Sequence, residues 1–244
     1  MIHPTARGFE TAAEVYEQAR PDYPSEAIDH IVEVLELEPG AQVVDVGAGT
    51  GKFARQLVAR GLHVTGVEPI AEMRTIFERV VDAEVIPGTA ESIPLADGSA
   101  DAVTAAQAFH WFDPDRALPE LKRVLRPGGG IALIWNVRDK SHPLHQSYAE
   151  AIRPYKGEAY PDGGGHPAGK PLASPLFTDV EERTFPHVQL LDADGLVARA
   201  ASVSFIARLG EDERAALLEG IRALAPPGTF EFPYLTKVFT GHSR

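Results

Sequence analysis

The stretch Asp45-Val46-Gly47-Ala48-Gly49-Thr50-Gly51 concentrates residue types that can hold a small ligand through the backbone. Glycine and alanine keep side-chain atoms clear, so N–H groups can approach a bound molecule where a turn meets a helix N-terminus. Glu68 follows Gly49 by 19 residues and closes the next apolar run. A carboxylate placed there, at the end of a second strand, can accept both hydroxyls of a ribose. Dinucleotide sites carry Gly-x-Gly-x-x-Gly, but here Lys52 stands at the third glycine position, which disfavours a pyrophosphate. A P-loop is disfavoured too, with Val46 at its leading glycine position and Phe53 at its Ser/Thr position. The spacing therefore points to a nucleoside without a pyrophosphate. A plain tight turn, with Glu68 as a solvated strand-end acid, is the competing reading.

The elements that must position these residues follow from hydrophobic periodicity. Residues 9–19 read as a short helix ended by Arg20-Pro21, and Ser25 as the N-cap of a second helix with Ile28, Ile31, Val32 and Leu35 on one stripe. Apolar runs at 42–46, 63–68, 84–87, 100–107 and 131–136 read as strands. Helices are expected over 52–60, with Gly61 after its end, around Met73, Ile76, Phe77 and Val80, and from Asp113-Pro114 as N-cap and first residue. Pro127-Gly128-Gly129-Gly130 should end the last of these. Strands alternating with helices specify an α/β fold with a parallel sheet covered on both faces. Beyond it, 139–175 is rich in Gly, Pro, His and Lys and reads as a long irregular cover. Strands at 187–191 and 230–240 and helices at 192–201 and 211–224 complete the chain.

Three stretches resemble motifs of class I S-adenosylmethionine (SAM)-dependent methyltransferases. They are Val43 to Phe53, Gly88-Thr89-Ala90-Glu91-Ser92-Ile93-Pro94, and Glu120 to Gly129 with its Leu-Arg-Pro-Gly-Gly ending. Residues 16–24, Tyr-Glu-Gln-Ala-Arg-Pro-Asp-Tyr-Pro, and 107–113, Gln-Ala-Phe-His-Trp-Phe-Asp, are similar to a small-molecule branch that includes trans-aconitate methyltransferase-like proteins. The resemblance implies a Rossmann-like, doubly wound, mostly parallel seven-stranded sheet with helices on both faces and an antiparallel last strand. It implies one domain: N-terminal helices and lid over 1–38, a cofactor core over 39–138, a partly inserted substrate cover over 139–225 and a closing strand over 226–244.

It also implies roles. SAM would lie on Gly47, Ala48, Gly49 and Gly51, with Asp45 toward its amino group, Glu68 on the ribose, and Pro69 or Ile70 against the adenine. Thr89, Ala90 and Glu91 would border the adenine's polar edge, Thr89 standing where many relatives carry Asp. Gln107 would lie beneath the sulfonium, and Tyr16 and Arg20 would close from the lid, Arg20 pairing with the SAM carboxylate. Tyr23, Trp111, Arg138 and His142 are the candidate substrate contacts. His110, just past the fourth strand, is the candidate general base, useful only to a nucleophile that starts protonated.

Composition limits the alternatives. The 44% apolar content supports a full core, and a net charge of −12 opposes nucleic acid as a partner. The absence of cysteine excludes disulfides and thiolate chemistry, and the nine histidines have no metal-ligand spacing, so no metal is expected. No signal peptide or membrane-length apolar run is visible, so a cytoplasmic place and a small-molecule partner are expected. Arg138, Lys140, Arg153, Lys156 and Lys170 give the cover a basic bias that could attract a carboxylate. The rival functions are a nicotinamide-dependent oxidoreductase and a SAM-binding protein without catalysis.

Overall fold

The computed structural model describes residues 13–156 and 171–244. Strands β1 (Gln42–Val46), β2 (His63–Val67), β3 (Glu84–Ile86), β4 (Ala100–Ala106) and β5 (Leu125–Arg138) pair in parallel. Strand β7 (Phe230–Ser243) runs antiparallel to both β5 and β6 (Phe177–Leu191), giving the seven-stranded order β3-β2-β1-β4-β5-β7-β6. The expected sheet is present. Its antiparallel strand sits inside, between β5 and β6, with β6 at the edge.

Both faces are covered, which is why the parallel strands are nearly continuous apolar runs. On one face α5 (Pro114–Val124) lays Ala117, Leu118, Leu121 and Val124 against Val44, Val103, Leu133 and Trp135. On the other, α2 (Ser25–Val34) and α3 (Ala54–Val58) bury Ile28, Ile31 and Leu57 with Val43, Ala102 and Ile134. Two more helices, α1 (Ala13–Ala19) and α4 (Ala71–Val80), meet in a small cluster of Ala13, Tyr16, Ile70, Met73 and Ile76. A separate apolar cluster joins α6 (Pro143–Ile152), α7 (Ala193–Ala201), α8 (Ser204–Ala207) and α9 (Glu211–Arg222) to Phe232 and Tyr234 of β7.

Several local expectations change. Pro24, not Ser25, is the N-cap of α2; the Ser25 hydroxyl instead accepts from Arg60 Nη2 at 2.9 Å. Asp113 does cap α5, accepting from the Asp115 N–H at 3.2 Å, an arrangement that contributes about 1 kcal/mol. The helix after the glycine turn is shorter than 52–60, covering only Ala54–Val58. Pro127 to Gly130 do not separate α5 from the next strand, because β5 already begins at Leu125. The segment 139–175 is not irregular throughout: it contains α6, which buries His145, Tyr148 and Ile152 with the last two in the helical cluster, and the 3-10 turn Arg153–Tyr155. The start of the first helix at residue 9, His166 and Lys170 lie outside the described residues.

Candidate functional site

Because β1, β2, β4 and β5 are parallel, their carboxyl ends share one rim of the sheet. Leaving β1, the chain reverses through Gly47, Gly49 and Gly51, with φ of 70°, 57° and 86°. This left-handed region strains other residues. Crowding adds a second demand at two of them: a Cβ on Gly47 would lie 2.6 Å from the Ala108 Cβ, and one on Gly51 would collide with Val81. A Cβ on Gly49 would meet nothing within 4 Å, so this part of the turn faces open space.

The turn is braced from β2. The Gly47 N–H donates to the Val67 carbonyl at 2.8 Å. The N–H groups of Gly49 and Ile70 donate to Glu68 Oε2 and Oε1, each at 2.9 Å, so two backbone donors fix the carboxylate. Burial pushes the Glu68 pKa up, against the pull of these two bonds and of Arg74. Asp45 is wholly buried. Its Oδ1 accepts from Thr104 Oγ1 at 2.8 Å, while its equally buried Oδ2 has no partner. Burial lifts the Asp45 pKa to about 7, helped by the charge of Glu68 and opposed by the Thr104 bond.

At the end of β4, Gln107 adopts φ 54°, and its side-chain Nε2 donates to the Asn136 carbonyl at 3.1 Å. A non-glycine residue held there costs about 1–3 kcal/mol, and such strain clusters at functional sites. The next turn, Phe109–Trp111, stacks His110 on Trp111 with ring centroids 4.4 Å apart. Trp135 Nε1 points to His110 Nδ1 at 3.5 Å, favouring the tautomer with its proton on Nε2. Thr89 and Ser92 exchange backbone bonds across a tight turn, Ala90 is buried, and Glu91 accepts from the Asp113 N–H at 3.0 Å. Glu91 thereby anchors the start of α5. Pro69 is half-buried, and Ile70 packs into the α1–α4 cluster.

The N-terminal segment is clamped over this rim. Glu17 accepts from Thr50 Oγ1 and Arg55 Nη1, both at 2.5 Å, and Asp22 accepts from Arg55 Nη2 at 2.5 Å and Lys52 Nζ at 3.4 Å. Lys52 thus pairs with acids of the N-terminal segment. Asn136 Nδ2 donates to the Asp22 carbonyl, and Gln189 Nε2 to the Ala19 carbonyl, both at 2.9 Å. Tyr23 is buried edge-on to Phe53, and burial, then Tyr16 and Asp45, hold its hydroxyl well above its ordinary pKa. The Arg20 guanidinium stacks 5.0 Å over the Tyr16 ring and donates to Ser202 Oγ and O at 2.9 and 3.0 Å. Burial, then the charge of Arg199, lowers the Arg20 pKa to about 10.

Arg138 ends β5, opposite Tyr234 in the register, with its guanidinium 4.9 Å over the Tyr148 ring. His142 precedes α6, its ring 5.8 Å from that of His145. His145 is no surface residue: it is 2% exposed and its Nε2 lies 2.5 Å from the Pro233 carbonyl. Arg199, Tyr148 and Tyr234 complete this cluster and escaped the sequence reading. One signal was available for Arg199, which shares a helical stripe with Leu196 and Ala200 and is the charged residue on a face otherwise apolar. Among the described residues no group of His, Asp and Glu could hold a metal ion, and no helix is long and apolar enough to cross a membrane.

Comparison with known proteins gives consistent results. Residues 44–133 match the family described as "Methyltransferase domain". An uncharacterized methyltransferase of Mycobacterium tuberculosis is 38% identical over 237 residues, 93% of this chain and 92% of that protein. Another from Schizosaccharomyces pombe is 32% identical over 212 residues, covering 85% and 83%. Among solved structures, a proposed type II methyltransferase of Anaeromyxobacter dehalogenans superposes with TM-score 0.64 at 24% identity, covering 92% of this chain and 97% of that one. These relatives set aside the nicotinamide alternative.

Proposed function

The chain belongs to the class I SAM-dependent methyltransferases, and on that premise we propose that it methylates a small molecule held at the carboxyl rim of β1, β4 and β5. The observation that carries this reading is the unpartnered, buried Asp45 Oδ2 behind a glycine turn that opens to free space at Gly49. A buried carboxylate oxygen with no donor calls for one from a ligand. The ammonium of an adenosyl amino acid supplies it, and Glu68, fixed by two N–H groups, keeps lone pairs for ribose hydroxyls. The donor set fits the cofactor. Thr89, Ala90 and Glu91 would frame the adenine, with Glu91 acting through the turn that it ties to α5.

SAM supplies a methyl group on a sulfonium, whose displacement leaves a neutral thioether and needs no acid. The protein's part is then alignment and exclusion of water, worth about 7–11 kcal/mol for well-placed reactants. Gln107 and the His110-Trp111 turn shape the floor at the end of β4, and the clamped α1–α2 connection covers it. With the basic Nδ1 facing the Trp135 indole N–H, His110 turns an N–H and not its lone pair toward the site, so it serves best as a polar wall. A carboxylate, hydroxyl or amine acceptor is compatible with this arrangement. The narrower likeness to the trans-aconitate methyltransferase-like branch rests on residues 16–24 and 107–113 and does not fix the acceptor.

Calorimetric titration tests the reading. S-adenosylhomocysteine (SAH) should bind saturably at one site and NAD should not. Binding of NAD without SAH would reverse the conclusion, and a radiolabelled methyl-transfer screen over carboxylates, alcohols and amines separates an enzyme from a silent SAM binder.

A further inference from the structure

We propose that Arg138 and Arg199, with Arg20 beside them, form a pocket that recognises the acceptor by an oxyanion, a carboxylate or a phosphate group. That these groups meet the acceptor rests on the methyltransferase reading, but the arginine cluster stands on its own contacts. Arg199 is 6% exposed and sits on the buried face of α7. Its Nε donates to the Tyr234 hydroxyl at 2.9 Å, and its buried Nη1 has no partner. The Tyr234 hydroxyl in turn donates to Gln189 Oε1 at 3.3 Å, so the tyrosine oxygen holds Arg199 in place. Arg138 lies directly across the β5–β7 ladder from Tyr234 and over Tyr148. The buried Tyr148 hydroxyl, His142 Nδ1 and His145 Nδ1 are unpartnered as well.

None of the three arginines makes an ion pair with a carboxylate among the described residues, whereas Arg55, Arg60, Arg79, Arg123, Arg126 and Arg222 do. Their neighbours are one another, the rings of Tyr16, Tyr148 and Tyr234 and, for Arg20, Ser202. Arg199 lowers the pKa of both Arg20 and Arg138 by charge, after burial, and Arg138, His142 and Arg199 add to the burial that takes His145 down to about 4. Buried charges in folded proteins are ordinarily paired, and unpaired donors find partners. The acid beside this cluster is Asp139, which is held by Ser141 at the exposed strand end, so the buried cations and orphaned polar atoms are complementary to an external anion. Guanidinium forks suit carboxylate and phosphate oxygens bidentately.

Position supports the assignment to the acceptor. Arg138 stands at the carboxyl end of β5, which continues four residues past Ile134, the partner of the last β4 residue Ala106. Arg138 thus lies beyond the strand ends near which Asp45 and Gln107 sit. Tyr23 links the two, feeling the charges of both Asp45 and Arg20. Arg20, on the connection between them, faces the Arg199 side through Ser202.

The test uses the whole chain with and without saturating SAH, titrated with glutarate, inorganic phosphate and the neutral glutaramide. Glutarate or phosphate should bind at least tenfold more tightly than glutaramide and raise the melting temperature. Whichever of the two binds identifies the oxyanion. Arg138→Met and Arg199→Met should each lower anion affinity at least tenfold while the SAH dissociation constant stays within twofold. Equal binding of glutaramide and both anions, no anion binding at all, or full anion affinity in the Arg138→Met protein would overturn the proposal. If Arg199→Met does not fold, Arg138→Met, at a strand end that is less buried than Arg199, and the wild-type comparison still decide it. Loss of SAH binding with anion binding intact would instead count against the methyltransferase reading.

Discussion

Single side chains at the rim hold more electrostatic tension than the core requires. Asp45 has its pKa raised from 3.8 to about 7. The folded protein therefore keeps a proton that the unfolded chain has released, and stability must fall as pH rises between these values, by at most about 1.4 kcal/mol per pH unit. Chemical denaturation of the cofactor-free protein at about pH 5 and pH 8 should show this slope, and Asp45→Asn should flatten it. SAH should bind more tightly at the higher pH and release a proton near pH 6, measured by calorimetry in buffers of different ionisation enthalpy. A second expectation concerns Glu68→Gln. Its amide can accept from only one of the Gly49 and Ile70 N–H groups and leaves the other facing a donor, a loss of about 1–3 kcal/mol. SAH affinity and unfolding free energy should both fall. His110→Phe gives the contrary result if the ring is only a wall: the methyl-transfer rate should drop less than tenfold, with an unchanged pH profile.

At the scale of elements, the N-terminal segment is attached by few but focused contacts. Glu17 alone joins α1 to Thr50 and to Arg55 of α3. Removing it in Glu17→Ala should loosen residues 13–24 without unfolding the sheet. Hydrogen exchange over α1 should quicken, and limited proteolysis should cut there first, while β1 to β5 stay protected. The contrast between these contacts and the turn that they cover shows what could be read in the sequence. Gly47, Gly49, Gly51 and Glu68 were legible because strand, turn and strand lie within about 26 residues and carry their own spacing. The helix α6 was missed because His145 and Tyr148 look polar in sequence and become core only against Phe232, far along the chain. Arg199 was missed for the same reason: its meaning depends on Arg138, Tyr234 and Arg20, drawn from three separated elements. Ser25 shows the smaller error, where a good capping residue lost its place to Pro24 and gave its hydroxyl to Arg60.

For the whole molecule, the sheet divides the work. The parallel half carries the glycine turn, and the half built on β5, β7 and β6 carries the cationic cluster with its helical cover. The two halves meet at β5, where Asn136 binds both the Asp22 carbonyl and Thr236 Oγ1. Shortening the chain at residue 229 should leave β5 and β6 without their shared neighbour, and the expected outcome is insoluble protein or a species that fails to bind the anionic probes. The position of β7 also bears on how the protein is made. A ribosome delivers β1 to β5 in an order that allows each new parallel strand to dock on a strand already made, but β6 emerges before its only sheet partner, β7, residues 230–243. The long antiparallel ribbon is a late, non-local closure of the kind that slows folding. The nascent chain can thus complete β1 to β5 and the glycine turn before the arginine cluster forms, and the flank of β5 stays bare until β7 pairs with it.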